Sequence, residues 1–91
     1  MMKVVFRHGD PAGTLTATPG ALASGIDFIP LIRRHLDYDW GNMPEEDVEQ
    51  NNRYVKRRKG VMSSYTVDGV TLWIITDPGH EVTTVLLPDE Y

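Results

Sequence analysis

Downstream of Gly60 the sequence alternates with a period of two and turns once on Asp68-Gly69, and this pattern constrains the fold more than any other feature of the chain. Val61, Ser63, Tyr65 and Val67 fall on one side of an extended strand, and Val70, Leu72 and Ile74 continue that side after the turn. Successive strand residues point to opposite faces, and a two-residue Asp-Gly loop takes the turn that matches strand twist. A β-hairpin is therefore expected, with Tyr65 opposite Leu72 and Ser63 opposite Ile74. Met62, Ser64, Thr66, Thr71, Trp73 and Ile75 occupy the reverse face, a mixture of apolar and hydroxyl side chains. A second turn, Asp77-Pro78-Gly79-His80, leads into a β-branched run over residues 82–87 that Pro88 stops. The expectation is an antiparallel β-meander of at least three strands.

Upstream the period changes. Thr18-Pro19 has the form of a helix start, a hydroxyl N-cap followed by proline, and Gly25 is placed to end that short helix. From Asp27 to about Tyr38, Phe28, Leu31, Ile32, His35 and Leu36 share one helical face, and Pro30 is tolerated in the first turn. A third helix is expected over residues 44–58, with acids in its first turns, bases in its last, and Gly60 as its left-handed terminator. Residues 3–7 and 14–17 read as a further N-terminal hairpin around the turn formers of residues 8–13, and the sequence leaves open whether it joins the meander. The fold class is α+β: two main helices and a short one, then the meander, in one domain over residues 1–91.

Composition narrows the function. Hydrophobic residues at 41% and charged ones at 24% suit a chain with a packed core, and the lack of cysteine excludes disulfides and thiolate metal sites. Residues 1–8 contain too short an apolar run for an export signal or a membrane span, so the cytoplasm is the expected compartment and no membrane partner is expected. A net charge of −4 argues against whole-surface nucleic-acid binding, although Arg53, Lys56, Arg57, Arg58 and Lys59 form a basic cluster at the end of the third helix. His8, His35 and His80 lie far apart without any local ligand spacing, and no phosphate-cradling glycine loop or nucleophile elbow occurs. No metal or cofactor is expected.

The candidate site residues each have a structural counterpart reading. His35 falls amid the apolar face of its helix, where it is either an acid-base group or a packed histidine bonded to a backbone carbonyl; the structural reading is favoured. The connection over residues 37–42 concentrates Asp39 and Trp40 beside Gly41, either to hold a ligand or to plug a corner, and the corner is favoured. Asp47, Asn51, Tyr54 and Arg58 stack as a polar stripe on the third helix, which has few aliphatic anchors and is either a peripheral cover or one wall of a cleft. Ser64, Thr83 and the other strand hydroxyls suit β-structure and also the lining of a site, and Trp73 stands among them on the reverse face.

The order Thr18-Pro19-Gly20-Ala21, Arg34-His35-Leu36, Asp39-Trp40-Gly41, Glu46-Asp47, Asn51, Ser63-Ser64-Tyr65, Leu72-Trp73-Ile74-Ile75-Thr76, Thr83-Thr84-Val85-Leu86-Leu87-Pro88 and Glu90-Tyr91 resembles a family of short uncharacterised bacterial proteins commonly labelled plasmid-related. The resemblance implies a mobile-element protein without an assigned activity, and an arginine where this chain has His80. A fainter likeness, of element order alone, is to small endoribonucleases of the RelE and colicin-nuclease type. The leading functional expectation is a non-enzymatic protein-interaction module whose partner is a host or plasmid-encoded protein, with Asp39, Trp40, Asp47, Tyr54, Ser64 and Trp73 as binding candidates. The alternative is a metal-independent endoribonuclease or toxin acting on RNA, with His35 as acid-base group, Arg58 as phosphate contact, and Asn51 and Thr83 as hydrogen-bond donors. That alternative requires these four side chains to converge in space.

Overall fold

Asp68 and Gly69 both take left-handed backbone, with φ of 50° and 78°, so the hairpin closes on the primed turn that an Asp-Gly pair favours. The computed structural model describes the backbone of residues 2–5 and all of residues 13–91. In chain order its elements are β1 (Met2–Val5), β2 (Thr14–Ala17), α1 (Pro19–Ala23), α2 (Ile29–Leu36), α3 (Glu45–Val55), β3 (Val61–Val67), β4 (Val70–Thr76), β5 (Val82–Leu86) and a closing 3-10 turn, Pro88–Glu90. The turn sets the β3–β4 register as expected, Tyr65 opposite Leu72 and Ser63 opposite Ile74. β5 then pairs antiparallel to β4, with Ile74 opposite Val85. The α+β class and the antiparallel meander are those read from the sequence.

The N-terminal hairpin does join the sheet. β1 and β2 are antiparallel, and β2 lies parallel to β5, giving the order β1-β2-β5-β4-β3. The first strand begins at Met2; residues 6–12, which hold the end of the expected strand and most of its turn, lie outside the described residues. The parallel pairing is possible because the three helices intervene between β2 and β5, as a parallel connection requires.

Local capping chemistry sets the helices. Thr18 Oγ1 accepts a hydrogen bond from Ala21 N at 3.2 Å with Pro19 in the first turn, and Gly25 follows α1 at φ 75°. Asp27 Oδ1 accepts from Ile29 N at 3.2 Å at the start of α2. α2 ends two residues short of Tyr38: Asp39 N bonds Arg34 O at 2.9 Å, Tyr38 N bonds His35 O at 3.2 Å, and Tyr38 itself turns left-handed at φ 65°. α3 ends in the same way. Gly60 is not its terminator; Arg58 is, at φ 55°, with Lys59 N on Tyr54 O at 3.0 Å and Arg58 N on Val55 O at 3.2 Å. Arg58 accepts that conformation, which costs a non-glycine residue roughly 1 kcal/mol, because the β4–β5 turn docks on it: Gly79 N donates to Arg58 O at 2.7 Å, and the Arg58 guanidinium donates to Gly79 O at 2.9 Å.

One face of the sheet carries the core. Leu15, Ala17, Tyr65, Leu72, Ile74 and Val85 pack against Ala21, Phe28, Leu31 and Ile32 of the helical layer. α3 lies along the β3 edge and buries only Asn51, the peripheral cover that its sparse aliphatic residues suggest. The reverse face carries Met62, Trp73, Ile75 and Val82, each half-buried. The C-terminal turn reaches that side, where Tyr91 meets Trp73 edge-on at 5.9 Å, and Glu90 is anchored to Thr18 Oγ1 and, at 3.0 Å, to Gly20 N. Among the described residues no helix is long and apolar enough to cross a membrane.

Candidate functional site

The helical spacing that puts His35 on the inner face of α2 delivers it onto the sheet, where it is 2% exposed. Its partners are strand hydroxyls rather than the backbone carbonyl expected of a packed histidine. Nδ1 bonds Ser63 Oγ, Nε2 bonds Thr76 Oγ1 at 2.8 Å, and Thr76 Oγ1 bonds Thr83 Oγ1 at 2.8 Å. Ser63, Thr76 and Thr83 are themselves buried, and the edge of Trp40 closes the ring in at 5.4 Å. Burial, with a smaller contribution from the nearby His80, pushes the imidazole pKa down to about 4. His35 is thus neutral at pH 7, with one ring nitrogen donating and the other accepting.

The connection between α2 and α3 is a packed corner that seals the edge of β3. Ser64 N donates to Trp40 O at 3.1 Å and Asn42 N donates to Ser64 O at 2.6 Å. One position further along the same edge, Asn51 Nδ2 donates to Met62 O at 2.7 Å. Gly41 is required here: at φ 70°, a Cβ would lie 2.1 Å from Ser64 O. Trp40 is buried, with Nε1 donating to Asn52 Oδ1 at 2.9 Å. Asp39 pairs with Arg34 at 2.7 Å, which holds its carboxyl below the usual range, and its carbonyl accepts from Tyr65 Oη at 2.6 Å. Asp39, Trp40, Ser64 and Asn51 are therefore committed to closing an edge strand that would otherwise present unpaired peptide groups.

Two hollows flank this seal. The first, of about 510 Å³, opens between the ends of α2 and α3 and the β4–β5 turn, and is walled by His35, Tyr38, Trp40, Lys56, Arg58 and His80 among others. The second, of about 430 Å³, lies between α3 and the reverse face and includes Asp47, Asn51, Met62, Ile75 and Tyr91. Of the four residues proposed for RNA cleavage, His35 and Arg58 meet in the first hollow, Asn51 faces the second, and Thr83 is buried behind Thr76. Among the binding candidates, Asp47 lines the second hollow, Tyr54 carries the Lys59 ammonium 4.9 Å from its ring, and Trp73 stands on the reverse face. Lys56, a member of the basic cluster noted in the sequence, also lines the first hollow, as do Tyr38 and His80, which are not among the sequence candidates; Tyr38 follows α2 and His80 lies in the β4–β5 turn, so only the fold unites them. No group of three His, Asp or Glu side chains among the described residues could hold a metal ion.

Set against protein-family models, curated proteins and solved structures, the chain finds no match.

Proposed function

We propose that this chain is a non-enzymatic protein-interaction module of mobile-element type, which binds a host or plasmid-encoded protein through the reverse face of its sheet. The observation that carries the reading is the make-up of that face. Met62, Trp73, Ile75 and Val82 stand half-buried on three neighbouring strands, interleaved with Ser64, Thr71 and Thr84, on the side away from α1 and α2. An indole among short hydroxyls offers apolar area with polar groups beside it, the pattern by which protein surfaces anchor partners. The engagement of His35, Asn51 and Thr83 in internal hydrogen bonds supports the same reading.

Metal-independent RNA cleavage is the second reading, favoured by the meeting of His35 and Arg58 in one hollow. It asks His35 to exchange protons with a substrate, and a ring that is 2% exposed, bonded at both nitrogens and shifted to about 4 is poorly suited to that exchange.

The test places Trp73→Asp with Ile75→Asp on the reverse face. Immobilised wild type should retain a partner from bacterial lysates that rebinds in purified form at fixed stoichiometry, and the folded double variant should lose it. Equal binding by the variant, or no partner from several hosts, rejects the proposal. RNA degradation on induced expression that His35→Ala abolishes would establish the cleavage reading instead.

A further inference from the structure

We propose that the hollow between the ends of α2 and α3 binds a phosphorylated nucleotide, with Lys56 and Arg58 on the phosphate, His80 beside the sugar and the base stacked on Tyr38. The site is independent of the reverse face and of any partner bound there.

Charge is the first argument. The chain has 13 acidic residues against 9 basic, yet the ionisable groups lining this hollow are His35, Tyr38, Lys56, Arg58 and His80, with no carboxylate. Neither Lys56 nor Arg58 forms an ion pair among the described residues. Cations at the end of α3 are expected from the helix dipole alone, but the dipole accounts neither for His80, which comes from the β4–β5 turn, nor for the ring of Tyr38. The carbonyls of Tyr54 and Val55 that would repel an anion are themselves capped by the amides of Lys59 and Arg58.

Backbone conformation is the second. Among the described residues four non-glycine positions have positive φ: Tyr38, Arg58, Asp68 and His80. Asp68 serves the hairpin turn. The other three all line this one hollow. Two of them end helices at the position where glycine is the usual residue, so the chain keeps an aromatic and a cation where glycine would be the easier occupant. Such clustering of unfavourable backbone is a mark of functional sites.

The side chains are also held in place. Tyr38 is 54% exposed and lies nearly parallel to Trp40, with ring centroids 5.7 Å apart, so a rigid indole backs its ring. Arg58 spends one guanidinium nitrogen on Gly79 O and keeps its other donors for a ligand, while His80 Nε2 donates to Lys59 O at 3.0 Å, which leaves Nδ1 as an acceptor for a sugar hydroxyl. A volume of about 510 Å³ lies in the range of small-molecule sites. A phosphate beside a stackable ring matches this combination of donors and platform.

Calorimetric titration of the purified chain with adenosine monophosphate, guanosine monophosphate, adenosine, inorganic phosphate and a short 5′-phosphorylated oligoribonucleotide tests the assignment. A mononucleotide should bind about tenfold or more tightly than the nucleoside or phosphate alone. Tighter binding of the oligonucleotide would name a strand end as the source of the nucleotide; equal binding would name the free nucleotide. Arg58→Gly should weaken binding, Tyr38→Phe should retain binding, and Asp68→Gly, outside the hollow, should leave it unchanged. Absence of mononucleotide binding at millimolar concentration, inorganic phosphate binding as tightly as the nucleotide, or an Arg58→Gly variant that binds like wild type would overturn the proposal.

Discussion

Asn51 pairs with both backbone polar groups of Met62: its Nδ2 donates to Met62 O at 2.7 Å and its Oδ1 accepts from Met62 N at 3.4 Å. A side-chain amide has the donor and acceptor of a peptide, so Asn51 acts as one residue of a missing neighbouring strand. The segment from Trp40 to Asn42 continues that substitute strand on Ser64. A helix with two partly buried valines, Val48 and Val55, is thereby joined to the sheet by polar pairing.

Replacing Asn51 by leucine should therefore destabilise the chain by about 2–3 kcal/mol, since it strips two edge peptide groups of their partner at a site 5% exposed. Urea unfolding measures the loss. Gln50→Leu, at the exposed neighbouring position, should change stability by less than about 0.5 kcal/mol. Equal effects would mean that the amide pairing contributes nothing.

His35 predicts a pH dependence of stability. Its folded pKa is pushed down to about 4 by burial, with His80 adding to the effect, whereas in the unfolded chain the imidazole titrates near 6.5. Between those values the unfolded state holds more protons, so stability rises with pH. The contribution is complete above about pH 6.5 and is lost as pH falls towards about 4, by on the order of 3 kcal/mol. Carboxylates titrate at the lower end of that window, so the measurement is a comparison: urea unfolding across the window for wild type and for His35→Gln. The variant should show a flatter profile between about pH 5 and 6.5; parallel profiles would refute the assignment.

Tyr65→Phe isolates one hydrogen bond. The phenol donates to Asp39 O at 2.6 Å, tying the sheet to the α2–α3 corner, while the ring is buried in the core and the Arg34 guanidinium lies 4.7 Å from its centroid. Removing only the hydroxyl should cost about 1–1.5 kcal/mol, a drop of roughly 4–12 °C in melting temperature for a domain of this size. Hydrogen exchange should quicken at Asn42 and Ser64, whose amides close the corner. A thermal shift without faster exchange at those two amides would assign the loss to packing.

The parts of this fold legible in the sequence are those decided by neighbours. Asp68-Gly69 specifies its own turn, the turn sets the register from Val61 to Thr76, and Thr18-Pro19 caps its own helix. Arg58 marks where local reading ends. Gly60 is the residue that by itself favours the left-handed state, but the helix turns at Arg58, where Gly79, remote in sequence, supplies hydrogen bonds. The same limit hides the parallel pairing of β2 with β5 and the hydroxyl partners of His35, each of which depends on segments far apart in the chain. The helical period placed His35 on the inner face; whether it met a carbonyl or two hydroxyls depended on which strand faces lay beneath it.

Two glycines separate conformational strain from steric exclusion. Gly25 and Gly41 have nearly the same backbone, φ of 75° and 70°, but a Cβ on Gly25 meets nothing within 4 Å, whereas one on Gly41 would sit 2.1 Å from Ser64 O and 2.6 Å from the Tyr65 ring. Gly25→Ala should cost about 1 kcal/mol, the left-handed penalty alone. Gly41→Ala must also push the corner off β3, releasing Ser64 from Trp40 and Asn42, and should cost more than about 3 kcal/mol. Thermal unfolding ranks the two. Because the displaced corner leaves an unpaired strand edge, the Gly41 variant should also self-associate in sedimentation velocity while the Gly25 variant stays at the wild-type sedimentation coefficient. Equal melting temperatures for the two variants would mean that the corner gives way without loss and that its seal on β3 is not what holds the edge.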